Sequence, residues 1–198
     1  MAANISRQIL MDKNDMKIVK LNTDEYNILF SIKNSNFILP SIINFDLIKL
    51  IFDLNPDIYE KSILHKNINI SENNATIGSL MKDIYADLGI PQTYICMNVE
   101  MAKMSNIIRF TCNPIYNQEI LSSFNLTPEL YLLPIKNMTI YCNILTNHHI
   151  DITCQLKLDD DIEIEQFIEK IIISIINKIF IRLKQFIENL SINNILVK

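Results

Sequence analysis

From Ile164 onward, apolar residues recur at helical spacing through Ile168, Ile171, Ile172, Ile175, Ile179, Leu183, Phe186, Ile187 and Leu190. Glu163, Lys170, Ser174, Lys184, Gln185 and Glu188 form the opposite stripe, and the spacing predicts one long amphipathic helix over 162–190. Its apolar arc covers more than half the circumference, so it needs a broad cover, and a sheet supplies one. Asp159, Asp160 and Asp161 stand where carboxylates cap free backbone N–H groups and meet the positive end of the helix dipole.

Immediately upstream the period changes from 3.6 to 2. Residues 137–158 alternate around a turn at Asn147 and His148, which predicts a β-hairpin. Met138, Ile140, Cys142 and Ile144 line one face of its first strand, and Ile150, Ile152, Cys154, Leu156 and Leu158 line one face of the second; these faces are expected to meet the helix. Thr139, Tyr141, Asn143, Leu145, Asp151, Thr153, Gln155 and Lys157 fall on the other, exposed face. Further strands are predicted at 17–22, 27–33, 93–101 and 106–112. A helix is predicted at 41–54, after Pro40 and stopping before Asn55-Pro56, and another at 77–88 with Thr76 as N-cap. The Asn-rich stretch 57–75 is ambiguous. Gly89, one of only two glycines, reads with Pro91 as the stop that closes helix 77–88 and sends the chain into a strand.

A chain of 198 residues suits one domain or two packed halves, taken as an N-terminal half 1–75 and a C-terminal half 76–198. Its 40 Ile and 24 Asn are the bias of AT-rich coding, as in a large DNA virus, an AT-rich protist or a reduced bacterium. A net charge of -4 exerts no global pull on nucleic acid, so such binding would rest on a local surface. No signal peptide or membrane span is evident, and a soluble, intracellular protein is expected.

Candidate chemical groups are few. Cys96, Cys112, Cys142 and Cys154 stand far apart inside strand-like segments and read as buried reduced thiols. His148 and His149 are adjacent in a turn, point apart, and have no third ligand at zinc-site spacing. There is no Gly-rich phosphate loop, no G-x-S-x-G elbow, and no Cys-His pairing. A noncatalytic protein with no cofactor, no metal and no small-molecule substrate is expected.

The order helix, Leu88-Gly89-Ile90-Pro91, strand, short helix, Pro128-Glu129-Leu130-Tyr131, hairpin with Ile144-Leu145-Thr146-Asn147 and long helix resembles the second repeat of a TATA-box-binding protein, over about residues 76–190. The resemblance implies an α+β fold, a curved antiparallel sheet backed by long helices in a saddle. It also implies a transcription-initiation factor that binds AT-rich promoter duplex from the concave sheet face and initiation proteins on its helical face, in the nucleus or a viral factory. The family's wedging phenylalanine positions match Tyr131 and Leu145. Tyr141, Asn143, Thr153 and Asn98 would share the nucleic-acid face, with Arg109, Lys136 and Lys157 as its cations, and Lys178 and Arg182 would decorate the partner surface. The competing expectation is a noncatalytic structural or virion assembly protein, or a helix-grip fold with an internal cavity. Small-molecule binding is expected only if the exposed sheet face encloses a pocket.

Overall fold

The computed structural model describes residues 7–66, 73–83, 92–124, 131–159 and 164–191. The chain is α+β, with one large antiparallel sheet and a long C-terminal helix. In chain order its elements are β1 (Gln8–Lys13), β2 (Met16–Lys20), β3 (Glu25–Lys33), α1 (Leu39–Ile42), α2 (Phe45–Asp53), β4 (Tyr59–Lys66), β5 (Asn74–Met81), β6 (Thr93–Lys103), β7 (Ile107–Pro114), α3 (Gln118–Ser123), β8 (Tyr131–Leu132), β9 (Ile135–Thr146), β10 (His149–Leu158) and α4 (Gln166–Glu188). The sheet runs β1-β2-β3-β10-β9-β7-β6-β5-β4, and the short β8 pairs in parallel with the start of β6.

The predicted hairpin forms as β9 and β10, with Cys142 opposite Ile152 and Ile140 opposite Cys154. The predicted long helix forms as α4, with Ile173, Ile179, Leu183 and Ile187 buried. The single helix expected at 41–54 is two helices, α1 and α2. Asn44 breaks between them, because its side chain accepts from the backbone N–H groups of Asp46 and Leu47 and caps α2. As expected, the helix ends before Asn55-Pro56.

The helix expected at 77–88 begins as a strand. Thr76 is a buried residue of β5, not an N-cap, and Gly89 and Pro91 lie outside the described residues. β5 is buried on both faces: Ala75 and Ile77 join the main core, while Gly78 and Leu80 face α3 on the far side. Gly78 is needed there because a Cβ on it would stand 2.3 Å from Ile120 Cγ2.

Curvature follows from which helix touches which strand. Laid flat, the eight strands from β2 to β4 would span about 34 Å, at about 4.8 Å per step. Yet α4, packed on β2 and β3, also contacts α2, packed on β4 and β5. Two helices each about 10 Å across can meet only if the sheet curls around them. The helices therefore occupy the concave side. An open saddle with a free concave face, as expected from the resemblance, is not formed.

Candidate functional site: the concave interior

The concave face is apolar along rows that cross six strands each. One row is Ile18, Ile28, Cys154, Ile140, Phe110 and Met101, and the next is Tyr26, Leu156, Met138, Cys112, Val99 and Ala75. Each row arises from period-2 alternation in antiparallel register, which sends every second side chain inward. α2 contributes Phe45 and Ile48, and α4 contributes Ile173, Leu183 and Ile187, to the same continuous core. Phe30 of β3 meets Phe180 of α4 with ring centroids 5.4 Å apart.

Polar groups enter this interior at its edges. Where α4 begins, Glu169 Oε1 accepts from Lys20 Nζ at 2.5 Å and from the Tyr26 hydroxyl at 2.7 Å. Burial and the Glu169 carboxylate raise the Tyr26 hydroxyl well above its usual range. Burial works against the Glu169 charge, but the hydrogen bonds from Lys20 and Tyr26 outweigh it and its carboxyl is lowered. At the other edge, Ser62 Oγ donates to Asp53 Oδ1 at 2.9 Å, and Ser79 Oγ to the Lys61 carbonyl at 3.1 Å. The inward thiols of Cys112 and Cys142 are pushed up to about 12 by burial, and Cys154 higher still, so they stay neutral.

α4 is fastened unevenly along its length. Its C-terminal half is pinned on one side by β3, where Lys184 Nζ donates to the Ser31 carbonyl at 2.9 Å and Glu188 Oε1 accepts from the Lys33 N–H at 3.1 Å. On the other side Lys178 lies 2.5 Å from Asp57, and Arg182 bonds both Asp57 and Asn55. These bonds hold the Asp57 carboxyl well below the usual carboxylate range. The N-terminal half is different: Ile168, Ile171, Ile172 and Ile175 keep accessible surface, and none of them is among the side chains packed on the described core.

The residues expected to touch nucleic acid fall elsewhere. Arg109, Tyr141 and Thr153 share one outward row across β7, β9 and β10, and Asn143, Leu145 and Asn98 also point outward, on the convex face. Leu145 is exposed near the end of β9. Tyr131, also exposed, sits on β8 beside the start of β6, away from that row. Lys157 is paired with Glu25 at 3.0 Å and Asp24 at 3.5 Å, and Lys136 is exposed at the start of β9. Lys178 and Arg182, expected on a partner surface, are engaged with Asp57. Pro128, Glu129, Leu130, Asp160 and Asp161 lie outside the described residues. The inward faces of β9 and β10 were legible in the sequence, and an enclosed interior entered only through the competing helix-grip expectation; the signal was the width of the α4 arc.

No protein-family model and no curated protein matches the sequence. Solved structures match in fold. The lipid transfer and protein localization domain of human StarD13 (DLC2) is similar with a TM-score of 0.68 at 6% identity, over 93% of this chain and 90% of that one. Human STARD10 gives 0.62 at 6% identity, over 93% and 74% of the two chains. Human StAR-related lipid transfer protein 5 gives 0.61 at 8%, over 94% and 86%. The fold is thus that of StAR-related domains. The resemblance to a TATA-box-binding protein is overturned, and with it the transcription-initiation reading and the AT-rich DNA and initiation-factor partners. The structural or assembly alternative and the expectation of no small-molecule ligand are corrected by the same likeness. The physical reason is the face: the concave surface that would sit on DNA is filled by α2 and α4. Among the described residues no helix is long and apolar enough to cross a membrane.

Proposed function

We propose that the protein is a noncatalytic carrier of a small apolar molecule of the lipid class, held between the concave sheet face and α4. The observation that carries this reading is the curled sheet itself, whose inward rows are apolar across six strands and wrap a helix. A charged ligand would leave its charge unpaired against those rows, which is costly, whereas an acyl chain or ring system exchanges water for apolar contacts. Two of the similar structures, the StarD13 domain and StAR-related lipid transfer protein 5, are named for lipid transfer, which supports the same class.

The ligand enters beneath the N-terminal half of α4, where the half-covered isoleucines supply apolar contact without the pinning bonds of the C-terminal half. The neutral interior thiols act as apolar wall. A fluorescent fatty-acid probe titrated into the protein tests this. Saturable enhancement at one site, weakened about ten-fold or more by Ile172→Asp, is expected, since a buried carboxylate would oppose the apolar chain. No saturable enhancement with the wild-type chain rejects the reading.

A further inference from the structure

At the far pole from the first turn of α4, the chain builds a second, polar site. A pocket of about 430 Å³ opens between the turn after β3, the β9–β10 turn and the C-terminal end of α4. That volume suits a small ligand. Lys33, Asn36, Thr146, His148, His149 and Glu188 are among its lining residues.

The hydrogen-bond inventory of this pocket is lopsided. Glu188, the one carboxylate among the lining residues, already pairs with Lys184: its Oε1 takes Lys184 Nζ at 2.8 Å and the Lys33 N–H at 3.1 Å. Several other groups are unused. His148 Nδ1 lies 3.0 Å from the Asn34 carbonyl and 2.8 Å from the Phe37 carbonyl, so that nitrogen carries its proton and donates, which leaves Nε2 for another partner. His149 Nε2 is enclosed by protein without a hydrogen bond, 3.4 Å from an Asp151 carboxylate oxygen that already accepts the Ser31 hydroxyl. Lys33 stands opposite His149 in the β3–β10 register, and its ammonium makes no ion pair among the described residues. The Thr146 oxygen accepts the His148 N–H at 3.2 Å, and its own proton remains to be donated.

We propose that this pocket binds a small oxyanion of the phosphate class, with Lys33 as counter-ion and the Thr146 hydroxyl and His148 Nε2 as hydrogen-bonding groups. The anion's oxygens accept from the Lys33 ammonium and the Thr146 hydroxyl, charge-assisted bonds of the stronger kind, and a P–OH can donate to His148 Nε2, which in the neutral ring is an acceptor. The site is independent of the apolar interior. Its ligand is either a free phosphate or phosphomonoester, or the exposed phosphomonoester of a lipid head group.

Imidazole NMR signals of His148 and His149, followed during titration with inorganic phosphate, read the first source. Co-sedimentation with vesicles of phosphatidylcholine with and without phosphatidic acid reads the second. The expected result is a saturable response in at least one arm, about ten-fold weaker in Lys33→Ala. That variant removes an ammonium without an ion pair and should fold normally, and its binding of the fluorescent fatty-acid probe should be unchanged. A response in neither arm, or an equal response from wild type and Lys33→Ala, overturns the proposal and leaves the interior reading standing.

Discussion

Glu169, in the first turn of α4, accepts the Tyr26 hydroxyl of β3 at 2.7 Å, and the same carboxylate oxygen holds Lys20 of β2. One side chain thus ties the start of the long helix to two strands of the concave face. Further along, the Asp57 loop and the end of β3 that runs past β2 clamp the second half of that helix. Between them stand the half-covered Ile171, Ile172 and Ile175, where we place ligand entry.

The Glu169 tether makes stability depend on pH with a definite sign. Its carboxyl is lowered in the folded state, so its contribution is present above the unfolded value near pH 4.3 and is lost as pH falls through the folded value. Glu169→Gln should cost about 1 kcal/mol at neutral pH after allowance for solvent screening, and should show a flatter melting-temperature profile below about pH 5. Thermal melts across pH check it.

The Arg182–Asp57 pair joins α4 to the loop after α2, and Lys178 shares the carboxylate. All three groups are partly exposed, so a double-mutant cycle of Arg182→Ala and Asp57→Ala should yield a coupling of about 0.5–1 kcal/mol that shrinks in high salt. Urea melts at two ionic strengths measure it.

Gly78→Ala should destabilise by about 1–3 kcal/mol, because the new methyl meets Ile120 of α3 at 2.3 Å. In a chain that already carries Ile120→Ala, the same Gly78→Ala change should cost less in a denaturant melt, since the clash has one main partner.

The parts of this fold legible in the sequence were those with a single clean period. β9 and β10 alternate between a buried and an exposed face, and α4 repeats every 3.6 residues. β5 failed for a physical reason: α3 covers its outer face, so it is apolar on both sides, and Ile77, Leu80 and Met81 imitate helical spacing. β1 was missed because it is a mostly exposed edge strand, joined to β2 by a turn with positive φ at Asn14 and Asp15. The order of elements suggested a saddle, since a linear order does not say on which face of a curved sheet a helix lies. That face is fixed by contacts between α2 and α4, more than a hundred residues apart in sequence.

The four cysteines give a check on interior packing. All are buried and free, and burial raises every one of their thiols. In native buffer a thiol reagent should label them slowly, and in denaturant all four should react at once. A bound apolar ligand should slow the native reaction of Cys112, Cys142 and Cys154 further, while Cys96, on the opposite side of the sheet under α3, should not respond.

The most direct test of the central claim is native mass spectrometry of the purified chain after incubation with mixed-lipid vesicles and removal of the vesicles. The account predicts a one-to-one adduct with an apolar lipid that Ile172→Asp reduces and Lys33→Ala leaves unchanged. A chain that carries no lipid under those conditions, with its secondary structure intact, would contradict it.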